Sequence, residues 1–269
     1  QEDGWYQQQA RPDAPSSTNV KSPVSHLVGS GKNGQSFIVN HEGFLFMSPM
    51  TWYPGKDLWD LSPGYEVRNS QFNRPVIEEC LYCHTDGANA VHGTLNRYEK
   101  DRVVRAHAIG CERCHGPGES HVAAMESNPQ DAPSIVNPVK LGFKQREAVC
   151  QQCHLSGATR VLKPHRQLND FRPGQDLEST YTIFTLVGDG KDFVGHVEQM
   201  YQSRCFLGSD GELGCTSCHD PHALPSAAER IEFYREKCLA CHGSDQQTEC
   251  GVSASERTKT SPPDDCVLC

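Results

Sequence analysis

The sequence predicts a mostly irregular fold of short α-helices with a small N-terminal β-hairpin, little regular secondary structure and a core filled by something other than side chains. Three observations lead there. Only 36% of the 269 residues are hydrophobic, 23 glycines and 17 prolines interrupt the chain, and 14 residues are cysteine. A chain this long can bury an ordinary core and has no need of cross-links on account of size, so the cysteines require a chemical reason. Several function classes fall away at once. The 25 basic residues are outnumbered by 34 acidic ones, giving a net charge of −9, and they are scattered singly, which argues against a nucleic-acid partner. The longest apolar stretch, Thr182 to Val187, is far short of the roughly 20 residues of a membrane helix, so no transmembrane segment is expected. The start, Gln1-Glu2-Asp3, has neither a basic residue nor an apolar run; an export signal is expected to have been removed or left out.

Twelve of the cysteines form six C-x-x-C pairs: Cys80/Cys83, Cys111/Cys114, Cys150/Cys153, Cys215/Cys218, Cys238/Cys241 and Cys266/Cys269. Such pairs serve as zinc half-sites, redox dithiols or haem attachment points, and the following residue discriminates among them. His84, His115, His154, His219 and His242 follow the first five pairs. With 13 histidines in 269 positions, five such coincidences have a chance of about 3 × 10⁻⁷, whereas the haem-attachment rule demands them. Tetrahedral zinc does not ask for a histidine after every pair, and a thioredoxin-like dithiol occurs once per βαβ unit. Two thiols adding to the vinyl groups of one porphyrin carry the adjacent imidazole to its iron. The sequence therefore predicts haem c at five complete motifs, with these five histidines as proximal ligands. A sixth haem on Cys266/Cys269 is expected, its histidine falling at the next position beyond the sequence. The fold class is thus that of a multihaem cytochrome c with a haem-filled core.

Eight histidines remain: His26, His41, His92, His107, His121, His165, His196 and His222. They suffice for bis-histidine ligation throughout. His222 in Cys218-His219-Asp220-Pro221-His222, and His121 after His115-Gly116-Pro117-Gly118, are turned away from their own haems by proline and glycine, so each is expected to ligate a neighbouring haem. His107 precedes Cys111 by four residues and reads as distal. His26 stands at the edge of a glycine-rich bend, and His196 on a helix expected from Phe193 to Cys205, on the face of Met200. The sixth distal ligand stays open among His92, His165 and His41. Cys205 and Cys250 belong to no pair; on the oxidising side of a membrane they are expected to form a disulfide, closing a loop that could add ~4 kcal/mol.

Along the chain, residues 1–25 read as an extended N-terminal arm rich in Gln, Pro and Ser. Residues 26–75 hold the hairpin, Phe37-Ile38-Val39 and Phe44-Leu45-Phe46-Met47 around His41-Glu42-Gly43, packed on the haem domain. Trp52, Tyr53 and Trp59 follow, suited to a porphyrin face or to ordinary core packing. Residues 76–269 form one multihaem domain in which helical stretches lead into the motifs at Val76–Cys80, Gln145–Cys150 and Ile231–Cys238, with acidic residues in early turns. The gaps between motifs are unequal, so the repeat is chemical and not a solenoid.

Val24-Ser25-His26-Leu27-Val28-Gly29-Ser30-Gly31, Ser62-Pro63-Gly64-Tyr65, His107-Ala108-Ile109-Gly110-Cys111-Glu112-Arg113-Cys114-His115-Gly116-Pro117-Gly118, Val194-Gly195-His196-Val197-Glu198-Gln199-Met200 and Cys215-Thr216-Ser217-Cys218-His219-Asp220-Pro221-His222 resemble multihaem c-type cytochromes of the cytochrome c554-like kind, whose members are often fused to tetratricopeptide repeats. The resemblance runs from about residue 22 to the end, and no tetratricopeptide segment is present. It implies an exported electron carrier, periplasmic, extracellular or at the cell surface, with His26, His107, His121, His196 and His222 as distal ligands and a histidine after the sixth pair. Its partners would be redox proteins or other copies of itself, as in an extracellular haem filament. The alternative is a multihaem oxidoreductase with one open-site catalytic haem acting on a small nitrogen or sulfur compound. No motif carries lysine in place of histidine, and the spare histidines outnumber the irons, so electron transfer without a substrate is favoured and no catalytic residue is assigned.

Overall fold

The N-terminal region is built on strands β3 (Gln35–His41) and β4 (Phe44–Tyr53), which pair antiparallel with His41 opposite Phe44. Their two-residue loop, Glu42-Gly43, has φ of 52° and 92°, the mirror-image turn whose twist matches antiparallel strands. Asn40 Oδ1 accepts the Gly43 N–H at 2.7 Å and closes it. In the computed structural model, which describes residues 4–9, 15, 20–131, 135–155, 157, 159–184, 195–243 and 250–268, this hairpin is the middle of a larger sheet. Strands β1 (Tyr6–Gln9), β2 (Val20–Val28) and β5 (Leu58–Leu61) extend it in the order β1-β2-β3-β4-β5, and β6 (Arg74–Pro75) also pairs with β4. The expectation of a small hairpin is corrected to a six-stranded antiparallel sheet. Strand β2 is masked in the sequence because Lys21-Ser22-Pro23 carries polar residues and a proline, which weaken a strand signal.

The two faces of the sheet differ. Ile38 and Leu45, fully buried, pack with Val76, Leu81, Tyr98 and Val103, while Phe37 stacks on Trp59 at 5.5 Å and Trp52 meets Trp59 at 5.4 Å. The aromatic residues thus pack on one another on the sheet.

Helix α1 (Glu78–His84) ties the sheet to the rest. Its Leu81 lies in the sheet cluster and its Tyr82 in a second cluster with Ala148, Leu168, Phe171, Leu177 and Tyr181. The later helices are α2 (Glu112–His115), α3 (Glu119–Ser127), α4 (Phe143–His154), α5 (His196–Gln202), α6 (Arg204–Gly208), α7 (Cys215–Cys218), α8 (Arg230–His242) and α9 (Ala254–Arg257). Strands β7 (Thr159–Leu162) and β8 (Tyr181–Phe184) form a separate antiparallel pair. The single helix expected to end at Cys205 is two: Ser203, with ψ of 145°, ends α5 and caps α6, its Oγ accepting the Phe206 N–H and donating to Met200 O. Residues 185–194, with the expected turn at 188–190 and helix start at Phe193, lie outside the described residues. So do residues 1–3, 10–14 and 16–19 of the expected arm, while β1 and the first part of β2 fall within its span. Acidic residues open α1, α2 and α8, but the first turn of α4 has none; its Glu147 sits later and is buried.

Cys205 and Cys250 are both free thiols. The expected bridge between them is not seen. Among the described residues no helix is long and apolar enough to cross a membrane.

Candidate haem centres

Each motif sits in a helical turn. Residues i, i+3 and i+4 share a helix face, so a helix presents both thiols and the following imidazole together. Cys80, Cys83 and His84 end α1, Cys114 and His115 end α2 just after Cys111, and Cys150, Cys153 and His154 end α4. Cys215 and Cys218 make α7 with His219 as its cap, Cys238, Cys241 and His242 end α8, and Cys266 opens a short 3₁₀ turn. Cys269 lies outside the described residues. Helices α2, α7 and α8 bury no side chain of their own.

The thiols also fix which motifs are neighbours. Cys83 and Cys153 hydrogen-bond, joining the first and third motifs; Cys150 and Cys215 do the same for the third and fourth. Cys218 interacts with Cys241, and Cys238 hydrogen-bonds Cys266, so the fourth, fifth and sixth follow in line. Cys114 feels Cys150, which sets the second motif beside the third. The hydrogen bond to Cys153, assisted by Arg160, holds the Cys83 thiol below its ordinary range.

Motif histidines meet non-motif ones. The rings of His115 and His222 are parallel within 10° with centroids 6.0 Å apart, and those of His154 and His196 are 5.2 Å apart at 71°. Two imidazoles bonded to one metal from opposite sides at about 2 Å each have centroids roughly 6 Å apart. His26, His84, His107 and Cys83 line a common cavity of about 280 Å³. His121 lies on α3 and His242 ends α8. His219 meets the Tyr234 ring edge-on, with 3.5 Å between Nδ1 and the hydroxyl. Of the remaining candidates, His41 packs against Phe46, and His165 sits in a turn at φ 62°.

Hydrogen bonds orient several rings. His115 Nδ1–H donates to Val136 O at 2.7 Å while Val136 N–H donates to His115 O, a two-bond clamp that leaves Nε2 free. Ser25 Oγ–H donates to Ile38 O and accepts His26 Nδ1–H at 3.0 Å, with the same result. Burial, then the charge of His107, lowers the pKa of His26; burial, then His196, His219 and His84, lowers that of His154. Both shifts favour the neutral imidazole, the form that binds metal. Paired thiols on one helical face, neutral imidazoles with an oriented nitrogen, and a parallel pair at 6.0 Å are a donor set that fits haem c. Among the described residues no group of three or more His, Cys, Asp or Glu could hold a bare metal ion.

Other residues that position the motifs carried no sequence signal. Glu147, 1% exposed, accepts the Cys215 N–H at 2.9 Å and so joins α4 to the start of α7, with Gly214 so close that a Cβ there would overlap the carboxylate. Gln152 accepts from Tyr82 Oη at 3.0 Å and donates to Arg113 O at 3.1 Å, bridging the first three motifs. Asp264 and Asp265 pair with Arg235 at 3.0 Å and Arg230 at 3.2 Å, fastening the sixth motif to α8. Lone acidic, amide and arginine residues form no pattern along a chain, and only their spatial partners reveal them.

Residues 65–116, which hold the first two motifs, match the family model described as cytochrome c554 and c-prime. No curated protein matches the chain. A crystal structure titled as the outer cell wall cytochrome OcwA is 20% identical, covering 59% of this chain with a TM-score of 0.39. The match spans only 32% of that chain, and a likeness so distant does not define the fold. The motif cysteines and histidines at Cys80–His84 and Cys111–His115 lie inside the matched segment, so this part of the chain is similar to the cytochrome c554 and c-prime family, and its donors fit haem c.

Proposed function

We propose that the chain conducts electrons along about six covalently attached, mostly bis-histidine haems, as an exported carrier serving redox partner proteins or other copies of itself. The observation that supports this most is the meeting of His115 with His222 and of His154 with His196, each a motif histidine beside a non-motif one. In this reading His222 completes the haem of the second motif although it belongs to the loop after the fourth, and His196 completes the third. His26 and His107 share the cavity of His84 and are the candidates for the first. The bound haem supplies an iron that takes up and releases one electron.

The polypeptide does the rest. Cysteine pairs on helix faces would hold the haem, and Val136 O and Ser25 Oγ keep a proton on the Nδ1 of His115 and His26, leaving Nε2 as the nitrogen that would bind iron. The thiol contacts run from the first motif to the third, fourth, fifth and sixth, with the second beside the third; that sequence is the proposed conduction path. Histidine pairs lack the methionine ligand that raises the potential, so potentials should be low.

The test is a haem count by absorbance and intact mass on protein extended past residue 269. Six haems are expected, and a count below five overturns the reading. The reduced wild-type protein should not bind carbon monoxide; saturable binding would point to an open axial position and to catalysis.

A further inference from the structure

A cavity of about 350 Å³ opens where the first three motifs meet, walled by Asp86, Arg105, Arg113, Gln152, Asn169 and Arg172 among others. Arg113, between the two cysteines of the second motif, is out of balance there. Its side chain is only 11% exposed, and its Nε is buried without a hydrogen-bond partner. One terminal nitrogen reaches Thr85 O at 3.5 Å and Asp86 Oδ1 at 3.9 Å, both at the limit of an interaction. The guanidinium lies over the Tyr82 ring, 4.6 Å from its centroid, which fixes its plane but offers no strong acceptor. A guanidinium has five donors, and a buried cation needs an anion and hydrogen bonds to offset its desolvation. Asn169 adds a buried, unpaired Oδ1, and turning that amide over presents two donors in its place. Arg105 and Arg172 bring two more cations, while the acidic Glu112 is committed to the Gly118 N–H at 2.7 Å.

We infer that this cavity seats a carboxylate, the propionate of a haem attached to a neighbouring motif, and that Arg113 is its counter-ion. The planar fork of arginine suits a carboxylate bidentately. The residue between two cysteines of one motif thereby positions the porphyrin of the next and tunes it. A cation beside a haem disfavours the more positive ferric state and raises the potential; Asp86, on the same nitrogen of Arg113, acts in the opposite sense. The inference rests on the haem reading above. A free small carboxylate would satisfy the same donors, and the experiment separates the two sources.

Holoprotein carrying R113Q, R113K or D86N is compared with wild type by haem count, spectroelectrochemical titration and calorimetric titration with acetate. The expected result is an unchanged haem count, one component moved to lower potential in R113Q, partial recovery in R113K, and a shift to higher potential in D86N. Acetate should not bind the wild type, because the seat is taken. Unchanged potentials in fully loaded R113Q overturn the inference, as does saturable acetate binding that R113Q abolishes, which would assign the cavity to a free carboxylate. If R113Q does not accumulate, the sign of the D86N shift decides, an unchanged or lowered potential refuting it. A wild type lacking haem would instead refute the proposed function.

Discussion

Replacing Glu147 with alanine should loosen the joint between the third and fourth motifs. Its carboxylate is 1% exposed and accepts the Cys215 N–H at 2.9 Å, with Arg146 Nε at 3.4 Å. A hydrogen bond to a charged group contributes about 1.5–3 kcal/mol, and its loss leaves a donor unpaired. Helix α7 has four residues, too few to persist without outside support. At about 2–4 °C per kcal/mol for a chain of this size, E147A should lower Tm by about 3–12 °C, read from the thermal transition of the oxidised holoprotein. E147Q retains an oxygen acceptor and should lose less. G214A tests the same contact from the other side, because its Cβ would overlap the Glu147 carboxylate. It should destabilise the wild type but cost less in the E147A background, where the space is open, giving a clear coupling in the double-mutant cycle. A Tm for E147A within about 1 °C of wild type, or additive single effects, would refute the clamp.

H222A should convert one haem to a high-spin, carbon-monoxide-binding state by EPR and difference spectroscopy, and that haem should be the one lost when Cys111 and Cys114 are both replaced. H196A should do the same for the haem of Cys150 and Cys153; a spectrum identical to wild type in either variant removes that histidine from the ligand set. Y82F leaves Gln152 Oε1 buried without the Tyr82 donor and should destabilise by about 1–3 kcal/mol in denaturant titration. R230A/R235A removes both ion pairs from α8 to Asp264 and Asp265, leaving Asp264 only to Arg257, so intact mass should show loss of the sixth haem alone, and full loading would count against that anchor.

How far the sequence was legible depends on the range of each interaction. The helical turns at Glu78–His84 and Arg230–His242 could be anticipated because cysteines at i and i+3 and a histidine at i+4 must share a face. The hairpin around Glu42-Gly43 was legible for the same reason: alternation and a two-residue turn are local. Strand β2 was not, since Ser22 and Pro23 acquire strand geometry only from the partners on either side. The break at Ser203 has no local signature, because a serine within an apparently continuous helix can cap a new one or simply face solvent, and the hydrogen bonds decide. A bridge between Cys205 and Cys250 is not seen, and sequence alone cannot decide one, because a disulfide needs the two Cα atoms within about 7 Å.

By itself the sequence pointed to the chemistry: the proposed haem attachment needs two thiols and a histidine within five consecutive residues, so Cys80–His84 and its four counterparts can be read without any structure. The tertiary structure decided which motif neighbours which and which distant histidine meets which motif, as His222 meets His115 across the chain. It also decided where buried charge goes, with Glu147 on the fourth motif and Arg113 in the cavity between the first three. An axial pair or a buried ion has no fixed spacing in sequence, because its partners are brought together by packing and not by the local geometry of the backbone.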